Sequence, residues 1–423
     1  DGLVHFAPSG TDAEYLALLL ALNRQWQLPT SPEGPLVCNI VVCSTEVGSG
    51  TAAACEGRYF STKTPFATVE DKSFVNGLEG LISLKTLPAR NPDGSASKVD
   101  GQLVELVEEE IRAGRVVVVH LVACSKTGLF QPSVECLVEI KRKHGDRIVA
   151  VVDACQMRGH LDERLSESCL VLLTGSKFLG APPFCSVVAC PLSEASCLMP
   201  AASPRLPAGF ATVFSRLDLD PRLHPHLLKA CNPLPNLGLY TRWSAVQSDM
   251  CAYADVAPAL IAQLVNTWRT QVEAAVASFP ALSLLPGAEP GSVMPLHLTP
   301  DGSPTPLTLQ PALDHVCQLL SLDIASLLPH DASEQDTMIA ATRCFVGQPV
   351  KISPSSIVIR VALVAADVVA AASCVQGGTP VDQAIASLIQ QVDHVVFRKL
   401  SLIAKHYAVL KDARCPVEPP PTH

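Results

Sequence analysis

The chain has 423 residues, 48% of them hydrophobic and 17% charged, with a formal net charge of −9. That apolar content can bury a large core and excludes a disordered chain, and the acidic balance argues against a nucleic-acid-binding protein. The length fits one large α/β unit with a smaller one beside it. Sixteen cysteines match a disulfide framework in number but not in placement. Cys38 and Cys43 in LVCNIVVCS and Cys185 and Cys190 in FCSVVAC sit in apolar runs, where a free Cys behaves as a small buried hydrophobe. No CxxC pair occurs, which argues against a zinc ribbon. A reducing, intracellular compartment is expected, the cytoplasm ahead of an organelle.

Taken in chain order, residues 11–26 have helical apolar spacing after the start signal Pro8-Ser9-Gly10. Residues 36–44 read as a buried strand, followed by a Gly/Ala-rich stretch over 48–57 and polar turns to 101. A helix is expected over 102–113, then strands over 116–122, 147–154, 170–176 and 184–190. Residues 191–240 are Pro-rich and irregular, and a helical stretch from Arg242 to Ser278 is interrupted near Pro258. After PGAEPGS at 286–292 the pattern predicts a strand (293–298), helices (312–322 and 333–342), a strand pair (349–364) and a long helix (380–408). The tail PVEPPPTH is expected to fray. Residues 357–375 are long and apolar enough to span a membrane but contain Arg360 and Asp367, which favours a buried strand and helix. No membrane partner is expected.

Buried strands alternating with helices predict a mostly parallel sheet sandwiched by helices. The expected division is a large domain over 1–245, a connecting helical segment over 246–285 and a small C-terminal α+β domain over 286–423. Polar residues gather at strand ends: Ser44-Thr45-Glu46, His120, Asp153 and Ser176-Lys177. The carboxyl ends of strands are where open α/β sheets bind ligands. An acid and a lysine at neighbouring strand ends suit pyridoxal 5′-phosphate (PLP). The lysine forms a Schiff base with the aldehyde and the carboxylate keeps the ring nitrogen protonated.

VDACQMRGH followed by TGSKF resembles the fold-type-I PLP-dependent enzymes, in particular the class V aminotransferase and cysteine desulfurase group. VVVVHLVACSKTGLFQPS is similar to that group's strand–His–loop–Gly-x-x-Gln-Pro segment. The resemblance implies that Lys177 is the Schiff-base lysine, Asp153 pairs with the ring nitrogen, Gln156 contacts the ring hydroxyl and His120 stacks on the ring. PSGTDAE looks like the phosphate loop, with Ser9, Gly10 and Thr11 facing the anion and Thr174 and Ser176 adding hydroxyls. PVKISPSSIVIRVAL resembles the strand whose arginine, here Arg360, binds the substrate carboxylate through a bidentate fork.

Each residue also has a plainer reading when taken alone. Ser9 and Asp12 make an ordinary helix cap, His120 a core histidine and Arg360 an ion-pair member. Glu46 lies in a Gly-rich turn that either approaches the site or does not. The chain begins at Asp1 and only seven residues precede Pro8, so an upstream segment that shapes the substrate entrance is expected to be missing.

The resemblance implies an amino-acid substrate, a homodimer and no metal. An aminotransferase is expected first. A cysteine desulfurase or other C–S/β-lyase is the alternative, and it needs a cysteine on a mobile loop. Cys344 is the nearest candidate, but its apolar surroundings read as core. An amino-acid decarboxylase comes next, and then a non-catalytic homologue of the fold.

Overall fold

The structure, a computed structural model, describes residues 2–29, 31–157, 161–285 and 292–413. The tail PVEPPPTH, Arg158–His160 of the VDACQMRGH motif and all but the last residue of PGAEPGS lie outside the described residues. The chain divides into two compact units. One comprises residues 1–89, 97–125 and 129–254; the other comprises 90–96, 126–128 and 255–423. The long helical stretch splits between them: helices Leu237–Ala245 and Gln247–Ala254 fall in the first, and Pro258–Val276 in the second. Pro258 sits at the start of that last helix, where its missing N–H costs nothing.

The first unit is an α/β structure built on one sheet. Its strands are β1 (Gly2–Ala7), β2 (Val37–Val41), β3 (Ile82–Thr86), β4 (Val116–Ala123), β5 (Phe130–Gln131), β6 (Ile148–Asp153), β7 (Leu170–Thr174) and β8 (Ser186–Pro191). The order is β1-β8-β7-β6-β4-β2-β3, with β5 paired to β4. β3, β2, β4, β6 and β7 run parallel, whereas β8 is antiparallel to both β7 and β1. Every residue of β2 and β4 is buried, as expected of central strands covered on both faces.

Helix α1 (Glu14–Gln27) is buried at every position from Glu14 to Gln25. A helix with no wet face must satisfy its polar side chains internally. At its carboxyl end, Asn23 Nδ2 donates to Leu19 O and Arg205 O, and Arg24 donates to Ile148 O and pairs with Glu194 at 2.7 Å. Gln25 Oε1 accepts the Val116 amide at 2.7 Å, so this helix end is tied to the start of β4. The short helix α2 (Thr51–Cys55) follows β2.

The second unit has its own four-stranded antiparallel sheet, in the order β11-β12-β10-β9: β9 (Leu282–Leu284), β10 (Val293–Leu298), β11 (Val350–Ser353) and β12 (Ser356–Ala362). Six longer helices accompany it among the described residues: Pro258–Val276, Gln310–Ser321, Glu334–Ala341, Ala365–Gln376, Val381–Gln391 and Asp393–Lys405. The apolar run 357–375 is β12 followed by the Ala365–Gln376 helix, and no helix among the described residues is long and apolar enough to cross a membrane. The expected single helix over 380–408 is interrupted at Val392, whose ψ of −72° departs from regular helix.

Leu18 of α1 is fully buried. Leu18→Ala is expected to cost about 2–5 kcal/mol through lost transfer energy and the cavity left behind. Val104→Ala, at a position 39% exposed, is expected to change stability by only a few tenths of a kcal/mol. Urea unfolding with unchanged m-values checks both.

Candidate functional site at the strand ends

β1 delivers the chain into the loop Pro8–Ala13, which turns into α1. Ser9 Oγ accepts the Asp12 amide at 3.1 Å and donates to Asp12 Oδ2 at 2.6 Å, so the plainer capping reading of Ser9 and Asp12 describes real contacts. The amides of Gly10 and Thr11 donate to no acceptor among the described residues. They lie at the amino end of a long buried helix, where backbone N–H groups and the helix dipole favour an anion.

Gly10 packs against the turn after β6. A Cβ on Gly10 would lie 2.8 Å from Cys155 Sγ, and one on Gly48 would lie 3.3 Å from Thr11 Oγ1. Asp153 ends β6 and accepts the Cys155 amide at 3.0 Å. Burial raises the Asp153 carboxyl pKa, partly opposed by that amide. The Cys155 thiol is pushed up by burial and by Asp153, while the Lys177 ammonium pulls it the other way. Gly10 and Asp153 therefore meet at Cys155, and the neighbouring strand β7 leads into the turn that carries Lys177.

Lys177 is exposed on the turn after β7. Thr174 Oγ1 donates to Cys185 O at 2.8 Å and lies 3.0 Å from Ser176 Oγ. These two hydroxyls shape the turn that carries the lysine. Gln156 is half-buried one residue beyond Cys155.

His120 is placed differently from a stacking residue. It pairs in register with Val151, whereas Asp153 pairs with Val122. Both side chains thus leave the same face of the sheet, with His120 two residues further from the strand ends. It is 1% exposed, and its Nε2 lies 2.9 Å from Asn39 Oδ1, 3.7 Å from Glu14 Oε2 and 3.9 Å from Cys55 Sγ. Burial holds the imidazole neutral, with a pKa near 3. Glu14, in the first turn of α1, is forced well above the carboxylate range by burial and by Asp153.

Arg360 lies in the second unit, where Nη1 donates to Lys126 O at 3.1 Å and Nη2 to Gln348 O at 3.3 Å. Cys344 is buried in the same unit, and its amide bonds to Leu320 O. Glu46 is buried, accepting the Ser125 hydroxyl at 2.6 Å.

Two cavities of about 230 Å³ flank the site in the first unit. One is lined by Pro8, Asp12, Tyr59, Lys63, Phe184 and Arg242; the other by Cys155, Thr174, Phe178, Trp243, Met250 and Tyr253. Sequence reasoning missed Cys155, Glu14, Asn39 and Cys55. The one visible signal was Asn39, a polar residue inside the apolar run LVCNIVVCS.

No protein-family model matches the chain, and no curated protein does. Among solved structures, Catharanthus roseus tryptophan decarboxylase in complex with L-tryptophan aligns over 93% of this chain and 69% of its own, at 14% identity and a TM-score of 0.49. Mouse CSAD aligns over 91% and 72% at 14% identity and a TM-score of 0.46. Burkholderia pseudomallei sphingosine-1-phosphate lyase aligns over 92% and 71% at 14% identity and a TM-score of 0.43. At these scores no residue role passes from those proteins to this one.

Gly10→Ala is expected to cost about 1–2 kcal/mol through its clash with Cys155, and Cys155→Ala in the same chain should recover most of that loss. A double-mutant cycle of unfolding free energies reads the coupling.

Burial lifts the Asp12 pKa from 3.8 to about 7, opposed by its bonds with Ser9. Folding therefore favours the protonated acid, and this contribution is full below the unfolded value and lost as pH rises through about 7. Asp12→Asn should flatten the stability–pH curve across that window, as measured by urea melts at stepped pH.

Proposed function

We propose that the protein is a PLP-dependent enzyme acting on the amino group of an amino-acid substrate, with transamination as the first reading. The observation that carries it is the packing of the Gly10 loop and Asp153 at Cys155, with Lys177 on the turn after the adjoining strand β7. The residues suit the cofactor's three chemical demands. Gly10 and Thr11 offer two uncommitted amides at a helix start for a phosphate. Asp153 is a crowded carboxylate whose raised pKa a cationic ring N–H would offset. Lys177 is an accessible amine.

When bound, PLP supplies an electron-withdrawing ring for chemistry at the substrate α-carbon. Lys177 Nζ is the group that would hold it covalently and move the proton at that carbon. The Asp153 carboxylate would keep the proton on the ring nitrogen. Thr174 and Ser176 fix the turn that aims Lys177, and Gln156 is the candidate for the ring hydroxyl. His120 reaches this assembly from beneath, through Glu14 and Asp153. The buried position of Cys344 lends no support to desulfuration, and a homodimer is the assembly we expect.

Three measurements test this reading. Borohydride should fix PLP on the Lys177 peptide and on no other, and Lys177→Ala should abolish the fixation; label on Lys126 would overturn the assignment. Asp153→Asn should retain cofactor but lose at least about a hundredfold in turnover. A screen of amino acids for keto acid, carbon dioxide and sulfide separates transamination from decarboxylation and elimination, and no product from any would mark a non-catalytic fold.

For Arg360 the proposed partner is the substrate carboxylate. Arg360→Lys keeps the charge but loses the fork, so efficiency with amino acids should fall about ten- to a hundredfold. Amines lacking the carboxylate should be affected less. Equal losses on both, with a lower melting temperature, would assign Arg360 a structural role through bonds such as those to Lys126 and Gln348.

A further inference from the structure

We propose that Glu14, Cys55 and His120 form a metal site for a borderline-soft divalent cation, zinc being the best match. A Glu oxygen, the Cys55 sulfur and a His120 ring nitrogen all lie within 4.8 Å of one another. Nε2 is 3.9 Å from Sγ and 3.7 Å from Glu14 Oε2. A tetrahedral zinc with bonds of about 2.0–2.3 Å holds its ligand atoms roughly 3.3–3.8 Å apart. The two distances from Nε2 therefore already stand close to the spacing of one coordination sphere, and the ion would draw all three atoms onto it.

A second observation points the same way. Glu14 is 2% exposed, and its Oε2 has no hydrogen-bond partner among the described residues. A buried carboxyl oxygen left without a donor is costly. A cation between Glu14, Cys55 and His120 would satisfy it. The three residues come from the first turn of α1, the last residue of α2 and the middle of β4, so a shared ion would tie together three elements.

Asn39 supplies the surroundings. Its Nδ2 donates to Cys55 O at 3.1 Å, and its Oδ1 lies 2.9 Å from the ring nitrogen that would ligate. Oδ1 can only accept, so without an ion Nε2 carries the imidazole proton and donates to it; on ion binding that proton moves to Nδ1, Nε2 ligates, and Asn39 Oδ1 becomes an adjacent oxygen donor. One nitrogen, one sulfur and one carboxylate oxygen select zinc-like ions over magnesium or calcium, which prefer all-oxygen sites. The step is a proton exchange without redox: the cation enters, the Cys55 thiol and the Glu14 carboxylic acid each release one proton, and the resulting thiolate and carboxylate balance the divalent charge.

The test uses the full chain, stripped with a chelator and reloaded with zinc or cobalt. Elemental analysis should find about one zinc per chain. The cobalt form should show a thiolate charge-transfer band that Cys55→Ser removes, and His120→Asn should weaken zinc binding at least about tenfold. X-ray absorption on the zinc-loaded wild type keeps the proposal falsifiable should either variant fail to fold. It should report one sulfur at about 2.3 Å among nitrogen and oxygen neighbours. Reloaded protein without zinc, a shell with no sulfur or several, or folded Cys55→Ser and His120→Asn chains that keep full affinity would each overturn the site.

Discussion

The burial of α1 from Glu14 to Gln25 is the constraint from which much of the first unit follows. A helix in water can leave its terminal amides and carbonyls to solvent; a helix enclosed on all sides cannot. At the carboxyl end, Asn23, Arg24 and Gln25 reach the Arg205 backbone, Ile148, Glu194 and the start of β4. At the amino end, Asp12 is held by Ser9, and the amides of Gly10 and Thr11 have no acceptor among the described residues. Such unmatched donors at a helix start attract an anion.

The central strands were legible because they are covered on both faces and read as unbroken apolar runs, β4 above all. β1 and β3 were not legible. β1 alternates between buried and exposed residues over six positions just before a turn, and β3 is an edge strand whose Ser and Lys sit only partly buried. Both depend on partners far away in sequence: β1 on β8, and β3 on β2.

The candidate site divides along the same line. Asp153 and Lys177 stood out because each follows an apolar run, so local pattern was enough to find them. The approach of Gly10 to Cys155 is a contact between distant segments, with no local signature. His120 shows the limit of position in a motif. Register, which the one-dimensional pattern does not carry, sets it two residues below Asp153 and under α1. Thr174 and Ser176 were read as donors to a ligand because hydroxyls beside a lysine invite that reading; within the chain they bond Cys185 and each other.

The second unit is not contiguous in the chain. It takes in residues 90–96 and 126–128 as well as everything from 255 onward. Within it Arg90 donates to Thr127, and Arg360 donates to the carbonyl of Lys126, 234 positions earlier. On the ribosome, which releases the chain from the amino end, these two short segments emerge long before β12 exists to receive them. They must wait in an unfinished state while the rest of the first unit is made. Closing a loop of that length is slow, so the last event in biosynthesis is the capture of an early segment by a late strand. A chain cut after residue 254 would keep both segments and lose the unit that holds them.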